Sequence, residues 1–168
     1  MTRANPTERV FLDSNVLVYA HSASDPVRRE RARTVADLPG AVVSAQVLSE
    51  LANVLLRKFA LPDAEVREKV TEVAARCEVV PVTAAIVLDA FRVRERYRLG
   101  FFDSQIVAAA LAAGAETLYS EDLHDGLVID GRLRVVSPFP HRAEQARGRY
   151  RPVKRGARFS RNALTPSR

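Results

Sequence analysis

The sequence predicts an α/β fold, a three-layer α/β/α sandwich around a mainly parallel sheet. Short apolar runs rich in β-branched residues alternate with longer segments of helical periodicity. Capping residues, prolines and glycines stand at the junctions between them. The 168 residues, 47% of them hydrophobic, suffice for one domain with a proper core.

Taken in order, residues 9–13 (Arg-Val-Phe-Leu-Asp) read as a buried strand that stops at a polar turn. Ser14 and Asn15 then start a short apolar helical segment, Val16 to Ala20. Asp25-Pro26 has the cap-then-proline pattern of a helix start, and the basic run Val27 to Ala36 follows. Pro39-Gly40 breaks the chain before a strand at Ala41–Val43. Ser44 caps a helix from Ala45 to about Phe59, ended by Leu61-Pro62. Asp63 caps the next helix, to about Arg76, and Glu78-Val79-Val80 is a strand closed by Pro81. Thr83 caps a helix to about Arg98, stopped by Gly100. Asp103 to Ala113 is apolar almost all round, hence a buried helix, with Gly114 at its end. Thr117–Tyr119 and Leu133–Val136 complete the strands.

Charge divides the chain at about residue 140. After His141 there are nine basic residues against one acid, Glu144, so the chain's net +6 leaves −2 for residues 1–141. Residues 1–140 are therefore expected to be the folded domain, and residues 141–168 a basic, disordered tail able to contact RNA phosphates. The single cysteine, Cys77, permits no internal disulfide and reads as a packing residue. No segment has the length of a membrane span, and Met1 to Glu8 lacks an apolar leader core. The expectation is a cytoplasmic protein with no membrane partner.

Four acids occupy places where a solvated carboxylate is not the default: Asp13, Glu50, Asp103 and Asp122. Asp13 and Asp122 follow strands, and in parallel sheets working residues collect at strand carboxyl ends. Glu50 shares a helix face with Val47 and Val54, where a charge needs a partner. Asp103 stands at a helix head after Gly100-Phe101-Phe102. Taken singly, Asp13 and Asp103 could be helix caps and Asp122 a turn residue. Gathered together they would repel one another unless protons or cations lay among them. Oxygen-only donors point to Mg²⁺, with Mn²⁺ as an alternative, and so to a metal-dependent phosphodiesterase.

The segments Phe11-Leu12-Asp13-Ser14-Asn15, Val47-Leu48-Ser49-Glu50-Leu51, Phe101 to Ala110 and Ser120-Glu121-Asp122-Leu123 resemble the PIN domain in order and spacing. More narrowly, they are similar to the VapC-type ribonuclease toxins of bacterial toxin–antitoxin pairs. The resemblance spans about Val10 to Pro138. It implies that Asp13, Glu50, Asp103 and Asp122 are the catalytic acids and hold Mg²⁺, with Asp13 and Asp103 as direct ligands. It also implies that Asn15 and Ser120 support them. An RNA substrate, a small antitoxin partner and a homodimer follow from the same resemblance. The arginine-rich tail departs from the usual short toxin, so a housekeeping RNA-processing nuclease stays open, as does a non-catalytic RNA-binding protein of the same fold. A haloacid-dehalogenase-like phosphatase would need an Asp where Asn15 stands.

Overall fold

A computed structural model describes residues 8–22 and 24–139. The first strand, β1 (Val10–Leu12), lies inside the sheet, between β2 (Ala41–Ser44) and β4 (Thr117–Tyr119), parallel to both. All three β1 side chains are buried, which is why the run carries no polar alternation. Outside β2 lies β3 (Glu78–Val80), and outside β4 lie β6 (Leu133–Val136) and then β5 (Val128–Ile129). Among the described strands, only β5 runs antiparallel to its neighbour. The chain thus builds outward from β1 through β2 to β3, then returns to start β4 on the other side of β1.

Helices cover this sheet as a three-layer sandwich. One set comprises α1 (Ser14–His21), α2 (Pro26–Ala36), α3 (Ala45–Arg57) and α4 (Asp63–Arg76), with α2 packed on α1, and α1 and α4 packed on α3. The other is the pair α5 (Ala84–Tyr97) and α6 (Phe101–Ala112). Every residue of α6 from Ser104 to Leu111 is buried, as its all-round apolar sequence requires. Leu17, Leu51, Leu55, Leu118 and Leu133 fill the core, each burial contributing roughly 1.5–3 kcal/mol. A smaller cluster of Val16, Ala20, Ala32 and Phe139 ties the last described residue to α1 and α2.

The element boundaries correct the sequence reading in four places. The last helix of the sandwich starts at Phe101 rather than Asp103, because extended Gly100 takes the cap position. Its carbonyl accepts from the Ser104 amide (2.9 Å) and hydroxyl (2.8 Å), so Asp103 falls in the first turn and caps nothing. At α4, Pro62 holds the cap position with its fixed φ of −60°, and Asp63 is likewise a first-turn residue. Arg57 ends α3 two residues early. The two-residue β5 was not expected, being too short to show a period. The expected basic tail, residues 141–168, lies outside the described residues. Among those described, no helix is long and apolar enough to cross a membrane.

The turn between β5 and β6 is tied to the end of α5. Asp130 there has φ +50°, a left-handed conformation held by side chains of α5. The Tyr97 hydroxyl accepts from the Asp130 amide (2.8 Å) and donates to its carboxylate (2.9 Å). Arg92 adds an ion pair at 3.0 Å and Arg96 one at 3.7 Å. This side-chain set holds the Asp130 carboxyl below the usual carboxylate range, chiefly through the Arg92 hydrogen bond.

Candidate active site

The direction of chain growth reverses between β1 and β4, and in open α/β sheets such a switch point opens a crevice beyond the strand ends. Asp13 leaves β1 into that crevice, and Ser120 to Asp122 leave β4 into it. The Asp13 amide donates to the Tyr119 carbonyl at 3.0 Å, which locks the two strand exits together.

Asp13 is the fixed point. Only 4% exposed, it accepts from the Ser14 amide (2.6 Å) on one oxygen, and so does cap α1. Its other oxygen accepts from the Ser120 hydroxyl (2.7 Å) and the Asn15 side-chain amide (3.0 Å). Asn15 bridges further: the same amide nitrogen donates to Asp122 at 3.1 Å, and its oxygen accepts from the Glu121 amide at 3.3 Å. Ser120 also accepts from the Asp122 amide (3.2 Å). Asn15 and Ser120 thus splint Asp13 to Asp122.

Glu50 reaches the cluster from the margin of α3, half-buried between buried Val47 and solvent. Both its oxygens are engaged, one by the Ser14 hydroxyl (2.7 Å) and the other by Gln46 (2.7 Å). Gln46 in turn donates to the Phe102 carbonyl (3.1 Å) and accepts from Gln105 (2.6 Å), which ties the α3 acid to the start of α6. Asp103 sits one residue beyond that carbonyl. A Cβ placed on Gly100 would come within 3.0 Å of an Asp103 carboxylate oxygen, so the glycine leaves room for it.

Electrostatics couple all four acids. Burial pushes the Asp13 carboxyl up to about 6, against the lowering effect of the Ser120 and Ser14 hydrogen bonds, and Asp122 and Glu50 push it further in the same direction. Asp103 is also raised, first by burial, then by Asp122 and Glu50. None of the four forms an ion pair among the described residues. As the side chains lie, no three acidic, histidine or cysteine groups among those residues converge tightly enough to cage one ion. Ser14, Asn15, Gln46 and Ser120 hold the carboxylates of Asp13, Glu50 and Asp122 in place. Mg²⁺ does not demand such a cage. It takes one or two carboxylates and keeps several waters. A hard-oxygen donor set whose members repel one another fits it in chemistry.

Sequence reasoning passed over Ser14 and assigned nothing to Gln46; both prove to be partners of Glu50. Gln46 stands one helical turn before Glu50, a spacing that signals a side-chain pair. Arg28 was also missed. It pairs with Glu121, donates to the Tyr19 hydroxyl (2.9 Å) and lies over the Tyr19 and Phe139 rings (4.9 and 5.0 Å), bracing the turn that carries Asp122. Cys77 ends α4 half-buried, and burial raises its thiol pKa, as suits a packing residue.

A sandwich of this topology with carboxylates at its switch point describes a class of α/β proteins, and comparison makes it specific. The PIN domain family model matches residues 10–128, and the chain belongs to that family. Among solved structures, a toxin–antitoxin complex from Klebsiella pneumoniae is similar, with 21% identity and TM-score 0.59, over 77% of this chain and 98% of that one. A DNA-bound VapBC from Salmonella typhimurium matches at 18% and TM-score 0.58, covering 79% and 99%. VapC20 from Mycobacterium tuberculosis, a sarcin–ricin loop cleaving toxin, matches at 23% and TM-score 0.52, covering 65% and 86%. A search of curated proteins finds no significant match.

Proposed function

We propose that this protein is a Mg²⁺-dependent endoribonuclease that hydrolyses RNA phosphodiester bonds, and that it serves as the toxin of a toxin–antitoxin pair. The observation that carries the chemistry is the electrostatically coupled set of Asp13, Glu50, Asp103 and Asp122 at the switch point, none of them in an ion pair among the described residues. The toxin assignment is supported by the likeness in fold to toxin–antitoxin proteins. On this reading the partners are an RNA substrate, a small antitoxin and a second copy of the chain.

Asp13 and Asp103 would hold the ion directly, with Glu50 and Asp122 acting directly or through water. When bound, Mg²⁺ supplies the positive charge that activates a water and offsets charge on the phosphoryl and leaving oxygens. The chain's own residues do the positioning. Ser120 and Asn15 keep Asp13 and Asp122 in fixed relation, and Gln46 and Ser14 orient Glu50. Burial raises the Asp13 carboxyl to about 6, so a bound cation would favour its charged form.

The test is cleavage of RNA by purified protein with Mg²⁺ or Mn²⁺, with EDTA, and after Asp13→Asn or Asp103→Asn. The expected result is cleavage that chelator stops and that each amide variant loses by at least about a hundredfold. Full activity in EDTA or in both variants overturns the reading. Truncation after Pro140 should weaken RNA binding and flatten its salt dependence while turnover at saturating RNA stays unchanged, because the tail supplies phosphate contacts and no acid of the set.

A further inference from the structure

Beside the acids stands a feature the chemistry leaves unused. Phe102 is 66% exposed and Phe91 is 55% exposed, although phenyl rings normally bury. Phe101 lies between them, its centroid 5.0 Å from that of Phe91 and 5.7 Å from that of Phe102, so three rings form a row across α5 and α6. The row begins at the acid site. Phe102 directly precedes Asp103, and its carbonyl is held by Gln46, the residue that also holds Glu50. On the far side Phe91 shares a shallow depression with Arg94, Glu95, Arg98 and Leu99. Neither Arg94 nor Arg98 forms an ion pair among the described residues.

We propose that Phe102 and Phe91 form a base-stacking ledge, on which an unpaired nucleotide next to the scissile phosphate lies, with Arg94 and Arg98 receiving the adjoining backbone. Aromatic faces stack on any base, and flanking cations complement phosphate. Three properties favour RNA as the occupant: the row is aromatic, Phe102 adjoins Asp103 in the chain, and Arg94 and Arg98 at its border form no ion pair among the described residues. Leu88, on the same helix as Phe91, is also exposed, and a second protein copy is the competing occupant that the test must separate. The proposal rests on the ribonuclease reading and adds the residues that would hold a base beside the cleaved bond. The strict consequence is that a duplex, whose bases are already stacked, is a poor substrate.

The experiment uses the full chain and a short single-stranded RNA carrying 2-aminopurine, whose fluorescence falls on stacking. Binding is measured in EDTA, and cleavage separately in Mg²⁺. The variants are Phe102→Ala, Phe102→Leu and Phe102→Tyr. The expected result is quenching with the wild type and with Phe102→Tyr, and little with the other two. Their affinity should fall about tenfold or more, as one base–aromatic stack supplies, with kcat within about twofold. Replacing the stacked nucleotide by an abasic one should weaken binding to the wild type and leave Phe102→Ala unaffected. Equal abasic losses in both proteins, or a Phe102→Leu variant that quenches like wild type, would overturn the ledge. So would a loss of affinity that sedimentation shows to follow loss of self-association. Quenching that depends on Phe102 without any cleavage would retain the ledge and reject the nuclease. Cleavage with both RNA affinity and kcat/KM indifferent to Phe102 would do the reverse.

Discussion

Asp13 and Asp130 are both aspartates at the ends of short strands, and the fold treats them in opposite ways. Asp130 is met by Arg92, Arg96 and the Tyr97 hydroxyl, and its carboxyl is held low. Asp13 is buried, given only neutral donors, and faced by Asp122 and Glu50, so its carboxyl is held high. Charge at Asp130 is stabilised within the chain. Charge at Asp13 is left for something outside it. A carboxylate with its own guanidinium is a structural tie, whereas one with only other acids beside it is a candidate site.

Breaking the splint should give the largest effect. Asn15→Ala removes the amide that joins Asp13 to Asp122 and should lower cleavage about 10- to 100-fold, the loss typical of groups that orient metal ligands. Raising Mg²⁺ should partly restore the rate, and an unchanged rate across a metal titration would show the splint to be idle.

The second effect is on stability, and its sign separates the two aspartates. The folded Asp13 carboxyl titrates near 6, above its ordinary 3.8, so ionisation costs folding free energy as pH rises through that window. At pH 7 in chelator, Asp13→Asn should therefore stabilise the protein by about 1–2 kcal/mol, after allowing for a lost acceptor at Asn15 or Ser120. The gain should vanish by about pH 4. Denaturant melts at pH 4 and pH 7 would expose a wrong sign.

Asp130 gives the smallest and opposite change. Its folded carboxyl is depressed, so its contribution is present above the unfolded value near 3.9 and is lost as pH falls below it. Asp130→Asn should cost about 1 kcal/mol at pH 7, because Arg92 and Arg96 are substantially exposed and screened. Cleavage should be untouched. An activity loss as large as that of Asn15→Ala would erase the distinction between tie and site.

Much of this was readable from the sequence because each element carried a local physical signal. The run Val10 to Leu12 announced a strand covered on both faces, and the apolar Ser104 to Leu111 announced a buried helix. Glu50 stood out because a carboxylate beside Val47 breaks the period. What stayed hidden depends on contacts distant in sequence. Arg28 and Glu121 are 93 residues apart, and Gln105 and Gln46 are 59 apart. Only the fold makes such pairs. The start of α6 was misplaced for a related reason: Asp103 looks like a cap, but the Gly100 carbonyl was already satisfied by Ser104. The quartet was legible as a pattern together with Asn15 and Ser120, while Ser14 and Gln46, the neutral groups that hold Glu50, were not.

The two outer strands have a consequence for assembly. At one side of the sheet β3 is three residues long, begins with Glu78 bound to Arg9 (2.5 Å), and is followed at once by Pro81, which has no amide to donate. At the other, β5 offers two residues before the chain turns at Asp130. Neither margin is long enough, or free enough of charge and proline, to template an incoming strand. The described sheet margins therefore disfavour strand-by-strand association and leave docking to the helices and loops around them.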